Sequence, residues 1–288
     1  MFSGTYTAIV TPFNQDGSVD YVRFRELIDM QIAGGVAGIV PVGTTGESPT
    51  LTIEEHIEVI RVAAEHAAHR IQVVAGTGAN ATQEAIELTQ AAKACGADAT
   101  LQVTPYYNKP SPEGLYRHFS AIADLGLPVV LYNVPGRTAR DIPIPLVKRL
   151  AAHPGIVAIK EAAGDVGRVS QVRAACELEV LSGDDALTLP MISVGACGVI
   201  SVVSNVMPRE MSELVRLALA GRMEEALRLH QRLTGLFADL FIEVNPVPVK
   251  AALAMMGLIE EIYRLPLCEL ASENRERLQE TMRRLSLV

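Results

Sequence analysis

The chain has 288 residues, 49% hydrophobic and 20% charged, enough for one large core or for a large domain with an appendage. Its formal net charge is -8 and it contains no lysine or arginine run, which argues against nucleic acid or an anionic membrane as the main partner. A small anionic substrate remains open, since it needs only one or two local cations.

The start, Met1-Phe2-Ser3-Gly4-Thr5, lacks the basic residues and apolar run of a secretory leader. Short apolar runs then recur along the chain. They cover residues 7–10, 38–42, 71–75, 100–103, 129–132, 156–160, 179–181 and 199–203, with starts spaced by roughly 20 to 33 residues. Each reads as a strand buried on both faces. Helix-period segments lie between them. Thr52-Ile53-Glu54-Glu55 is a capping box, followed by an apolar stripe of Ile57, Ile60 and Ala64. Thr82 and Glu84 open another helix, with Ile86 and Ala92 facing inward. Ser111-Pro112-Glu113 combines a cap, a proline at the first helical position and an acid in the first turn. Pro145, Asp165, Asp184 and Pro208 begin later helices.

Strand-helix alternation repeated eight times predicts an α/β fold, a (β/α)8 TIM barrel. Residues 222–237, 248–256 and 272–285 read as three further helices. The expected division is a barrel over 1–221 and a C-terminal helical segment over 222–288. Residues 186–207 carry no charge and are long enough to span a bilayer. Pro190, Gly195 and Gly198 interrupt them, so they read as a helix, a turn and a buried strand. Cys95, Cys176, Cys197 and Cys268 are widely spaced with no C-x-x-C, which fits buried free thiols in a reduced cytoplasmic setting.

In such barrels the chemistry sits where strands end and βα loops begin. The sixth run, Ile156-Val157-Ala158-Ile159-Lys160-Glu161, ends in a lysine. Alternation puts Lys160 on the face of Ala158 and Ile156. If that face is the barrel interior, desolvation lowers the amine's pKa and leaves a nucleophile able to form a Schiff base with a carbonyl. A strand-end lysine paired with Glu161 or another acid is the other reading. After the second run, Gly43-Thr44-Thr45-Gly46-Glu47 offers hydroxyls and backbone N–H groups to a carboxylate, or is a plain tight turn. The paired tyrosines of Thr104-Pro105-Tyr106-Tyr107-Asn108 suit a proton relay or an interface. Tyr132 ends the fifth run and should stand beside Lys160, with Arg137 following as a fork for a carboxylate. Ser182-Gly183-Asp184-Asp185 places two acids after the seventh run, which argues against phosphate there and suits helix capping by Asp184. The histidines form no ligand cluster; His66 and His69 are three apart on an outer helix without a third ligand, so no metal site is expected.

Three motifs together, Gly43-Thr44-Thr45-Gly46-Glu47, Tyr132-Asn133-Val134-Pro135-Gly136-Arg137-Thr138 and Ile159-Lys160-Glu161-Ala162, resemble the dihydrodipicolinate synthase family (4-hydroxy-tetrahydrodipicolinate synthase). This family belongs to the pyruvate-dependent Schiff-base aldolase superfamily that also holds N-acetylneuraminate lyase. The likeness runs over essentially the whole chain, including Asn245-Pro246-Val247-Pro248-Val249-Lys250.

The resemblance implies a lyase that condenses pyruvate with L-aspartate-4-semialdehyde in diaminopimelate and lysine biosynthesis. Lys160 forms the Schiff base, and Tyr132, Thr44 and Tyr107 form a proton relay, with Tyr107 reaching in from a neighbouring subunit. Thr45 holds the pyruvate carboxylate and Arg137 that of the semialdehyde. Gly183 and Ile200 match positions near the bound intermediate. No metal or organic cofactor is implied, and the expected assembly is a homotetramer, a dimer of dimers. Many members are inhibited by L-lysine at an interface cleft, matched here by His56, Gly78, Asn80, Glu84 and Tyr106. Pro49 and Ile53 depart from the alanine and histidine often found there, which implies weaker lysine binding. The alternatives are a lyase or aldolase for N-acetylneuraminate or a 2-keto-3-deoxy sugar acid, and a non-catalytic ligand-binding paralogue. Arg137 speaks against the first. Retention of Lys160, Tyr132, Thr44 and Arg137 together speaks against the second.

Overall fold

Alternating apolar runs and helix-period segments become, in a computed structural model that describes residues 2–288, eight parallel strands wrapped by helices. The strands are β1 (Gly4–Thr7), β2 (Gly38–Ile39), β3 (Gln72–Gly76), β4 (Ala99–Val103), β5 (Val129–Asn133), β6 (Ile156–Glu161), β7 (Glu179–Ser182) and β8 (Gly198–Ser201). They pair in chain order, and β8 closes the barrel on β1. Around them lie α1 (Tyr21–Ala33), α2 (Ile53–Ala67), α3 (Thr82–Ala94), α4 (Pro112–Ala123), α5 (Pro135–Thr138), α6 (Ile144–Leu150), α7 (Val166–Ala175), α8 (Thr188–Ser193) and α9 (Pro208–Leu219). Three more helices follow, α10 (Met223–Asp239), α11 (Val247–Met255) and α12 (Ser272–Arg284).

The strands are buried on both faces because each face meets its own apolar layer. Outward residues such as Ile39, Val73, Leu131, Ile159 and Val180 pack under the helices. Inward residues, among them Tyr6, Val40, Val74, Leu101, Val130, Tyr132, Ala158, Leu181 and Ile200, fill the barrel. The outer cluster extends into Leu236 of α10, Val249 of α11 and Leu278 of α12, so the C-terminal helices share the barrel's core.

Helix starts follow their caps. Thr52 and Glu55 form the reciprocal capping box of α2. Ser111 accepts from the Gly114 N–H at the start of α4, with Pro112 at the first helical position. The charge-free stretch 186–207 is divided between α8, β8 and the turns beside them. Among the described residues no helix is long and apolar enough to cross a membrane. All four cysteines carry free thiols, but not buried ones as expected: Cys95, Cys176 and Cys197 are half-buried and Cys268 is exposed.

Three local expectations need correction. The first strand lies at Gly4–Thr7, not at 7–10. Ile9 and Val10 follow it as buried loop residues at the barrel rim. The buried face of α2 is His56, Val59, Ile60, Val62, Ala63 and Ala67; of the expected stripe Ile60 lies on it, while Ile57 and Ala64 are only half-buried. The polar His56 turns inward because its ring Nε2 meets the Gly76 carbonyl at 2.9 Å. Finally, Ile156 does not share a face with Lys160. A register irregularity between Val129 and Val130 sends Ile156 to the outer cluster, while Ala158 faces the interior.

Candidate active site

Beyond that irregularity the alternation of β6 is regular. Ile159 packs outward, so Lys160 points into the barrel and Glu161 away from it. Lys160 pairs in register with Tyr132 of β5, and its Nζ lies 4.2 Å from the centre of the Tyr132 ring. Lys160 is 7% exposed and has no carboxylate within ion-pair distance among the described residues. Glu161 is engaged elsewhere. Its carboxylate accepts from Arg168 Nε at 3.1 Å, Asn133 Nδ2 at 2.9 Å and the Ala163 N–H at 2.9 Å. Burial pushes the Glu161 carboxyl above its usual range, against the pull of Arg168 and Asn133. The salt-bridge reading of Lys160 with Glu161 therefore fails. Gly183, at the end of β7, makes room for the lysine: a Cβ there would lie 2.9 Å from Lys160 Cε and 2.6 Å from Ala162 Cβ.

Above Lys160 opens a cavity of about 440 Å³, lined by Thr44, Thr45, Tyr132, Arg137, Lys160 and Gly183. The hydroxyl pair arrives on the loop after β2, which bends sharply. Val42 and Glu47 flank it with φ of 50° and 55°, a costly conformation for residues other than glycine. Buried Glu47 holds the bend by accepting from Lys250 of α11, a pair with no exposed side-chain surface on either partner. Across the mouth, Arg137 sits on α5 and donates from Nη2 to the Asn245 carbonyl at 3.3 Å. The floor at β8 is fixed by Asp185. It is fully buried and accepts from Ser201 Oγ at 2.5 Å and from the N–H groups of Val202 and Val203 at 2.9 and 3.1 Å. Burial pushes its carboxyl up to about 6. Asp184 caps the short turn that follows, accepting from the Ala186 N–H at 3.0 Å.

Two of the expected site residues stand outside this cavity. Ile200 is 2% exposed within the barrel's inner packing and does not line it. Tyr107 is 90% exposed, with φ at 71°, on the loop after β4. Residues without an assigned role also line the cavity: Phe237, Ala238 and Phe241 of the α10 region, and Asn245. Asn245 belongs to a motif quoted for its likeness alone, and no local pattern marks its chemistry.

A second cavity, about 190 Å³, is lined by His56, Gly78, Glu84 and Tyr106 together with Pro49 and Ile53. Asn80 does not line it; its carbonyl accepts from Asn108 Nδ2 at 2.8 Å. A carbonyl only accepts, so His56 Nε2 carries the proton and donates. Burial lowers the His56 pKa to about 4, which keeps the ring neutral. Burial also raises the Tyr106 phenol, helped by Glu84. A third cavity shares Thr44, Tyr132 and Arg137 with the first and Pro49, Gly78 and Tyr106 with the second. Elsewhere His66 pairs with Asp29 at 2.9 Å, and His69 lies past the end of α2.

Comparison with known proteins gives concordant results. The model of the Dihydrodipicolinate synthetase family matches residues 1–285. A 4-hydroxy-tetrahydrodipicolinate synthase of Geotalea daltonii is 51% identical over 291 residues, covering 100% of both chains. The structure of the chloride-inhibited dihydrodipicolinate synthase of Acinetobacter baumannii, complexed with pyruvate, superposes with a TM-score of 0.98 at 47% identity and covers 100% of both chains. That of the Cyanidioschyzon merolae enzyme with lysine bound gives 0.97 at 41% identity, covering 100% of this chain and 99% of the other.

Proposed function

From the premise that the chain belongs to the dihydrodipicolinate synthetase family, we propose that Lys160 is the covalent nucleophile of its reaction, the 4-hydroxy-tetrahydrodipicolinate synthase condensation of lysine biosynthesis. The observation that carries this is an inward lysine without a carboxylate partner, in register with a tyrosine at the mouth of the barrel. The chain is a lyase. Its substrates are pyruvate and L-aspartate-4-semialdehyde, in keeping with a pyruvate-bound relative of nearly identical fold.

Lys160 Nζ adds to the pyruvate keto carbon, and loss of water gives the iminium. The iminium is the electron sink, so the chemistry calls for neither metal nor organic cofactor. A proton then leaves the pyruvate methyl group to give an enamine. This carbon attacks the semialdehyde's aldehyde carbon, whose oxygen takes up a proton to become the 4-hydroxyl. The substrate amine closes onto the former keto carbon and expels Lys160, so one water is released overall. Tyr132 and Thr44 carry protons at these steps, joined by Tyr107 from a second copy of the chain. The exposure of Tyr107 in its own subunit leaves it available to a second copy and so supports a homo-oligomer; the assembly proposed is a dimer of dimers. Thr45 donates to the pyruvate carboxylate, and Arg137 holds the carboxylate of the semialdehyde. Gly183 gives the lysine room to swing, and Ile200 supports the inner layer below the intermediate.

The second cavity is the site of L-lysine feedback. His56, Glu84 and Tyr106 line it, and a relative of the same fold has lysine bound. Free thiols support a cytoplasmic setting. The substrate assignment is tested by steady-state assay with aspartate semialdehyde plus pyruvate against N-acetylneuraminate cleavage. Turnover of the first pair alone is expected. Cleavage of N-acetylneuraminate without turnover of the semialdehyde would reassign the enzyme.

A further inference from the structure

The two carboxylate-binding groups come from different βα loops, yet one residue outside the barrel holds both. Asn245, between α10 and α11, donates from Nδ2 to Thr45 Oγ1 at 2.9 Å, and its main-chain carbonyl accepts from Arg137 Nη2 at 3.3 Å. The residue is 7% exposed and lines the cavity. Its Oδ1 is buried and has no protein donor among the described residues. A buried amide left half satisfied lowers stability, and such groups concentrate where function requires them.

The direction of the Thr45 bond has a chemical consequence. A hydroxyl has one proton to donate and two lone pairs to accept with. With the Asn245 N–H on a lone pair, the Thr45 proton is free to point into the cavity. Thr45 then meets the substrate as a donor, the polarity that a carboxylate needs. The anchor is firm because α11, which starts just beyond Asn245, also carries Lys250, whose buried pair with Glu47 grips the same loop two residues from Thr45. We propose that Asn245 is a positioning residue: its side-chain amide sets Thr45 as a hydrogen-bond donor for the pyruvate carboxylate, while its main-chain carbonyl aims Arg137. This rests on the assignment of Lys160 as the pyruvate nucleophile.

Because one bond uses the side chain and the other the main chain, substitution separates them. Borohydride trapping of the pyruvyl adduct, quantified by mass spectrometry against pyruvate concentration, reads the Thr45 arm. Asn245→Ala is expected to raise the half-saturating pyruvate concentration by roughly tenfold, with the KM for semialdehyde near that of the parent. Asn245→Asp, almost the same shape, is expected to raise it further, since a carboxylate accepts the Thr45 proton and repels the pyruvate carboxylate. Thr45→Val is expected to match Asn245→Ala, and the double variant to be little worse than either. Unchanged half-saturation in Asn245→Asp would overturn the proposal, as would multiplying losses in the double variant. Asn245→Asp keeps the test decisive should the alanine variant melt early. Adduct in the parent with unaffected variants overturns this inference alone, whereas no adduct in the parent overturns the Lys160 assignment as well.

Discussion

Two lysines are buried at this end of the barrel, in opposite surroundings. Lys250 has no exposed surface, is paired with Glu47 and lies against the Phe13 and Tyr263 rings, with Nζ 4.2 and 5.4 Å from their centres. Lys160 is nearly as buried but has no acid paired with it among the described residues, and it faces a cavity large enough for small substrates. Burial lowers the Lys250 pKa while Glu47 pulls it back up. A buried amine with a carboxylate partner is a strut. One without a partner, beside a phenol and an open cavity, is available for chemistry. Partnership distinguishes the two more clearly than burial does.

Substitutions break that contrast in graded steps. Lys160→Ala should lower kcat by roughly 10⁴-fold or more, the scale of losing a covalent nucleophile, while the thermal midpoint stays near that of the parent. Lys250→Met should act the other way round. It strands the Glu47 carboxylate and should cost about 3–5 kcal/mol of stability, read by thermal or denaturant unfolding. Combining it with Glu47→Leu should recover most of that loss. A midpoint unmoved by Lys250→Met would show that the buried pair is not a strut. A smaller effect should follow from Arg137→Ala. Removing a charge-assisted contact of about 1.5–3 kcal/mol should cut semialdehyde turnover roughly ten- to a hundredfold, with pyruvate adduct formation spared. Equal losses in both steps would make Arg137 structural. The smallest concerns the second cavity, where Ile53→His should strengthen L-lysine inhibition about two- to tenfold, the worth of one neutral hydrogen bond. No change in inhibition would remove position 53 from the lysine site.

Much of this was legible in the sequence because it rests on periodicity. Alternation placed Lys160 on an inner face, and parallel neighbouring strands placed Tyr132 beside it. Capping chemistry at Thr52 and Ser111 located two helix starts. The misreadings have physical reasons. The face of Ile156 was lost to a register irregularity supplied by the neighbouring strand, which no pattern within 156–160 encodes. The α2 stripe was displaced because a histidine found a buried carbonyl and so behaved as an inward residue. Asn245 escaped because its partners, Thr45 and Arg137, are 200 and 108 residues away in the chain. Lys250 escaped for the same reason, its partner Glu47 lying 203 residues away. Tyr107 is a different case: within one subunit it is an exposed side chain on the loop after β4, outside the cavity.

The contrast between the two lysines comes down to one measurement. The enzyme is incubated with pyruvate, reduced with borohydride, digested and mapped by mass spectrometry. The account predicts a reduced pyruvyl group on Lys160, with Lys250 unmodified. An unmodified Lys160, or an adduct on Lys250, would contradict it.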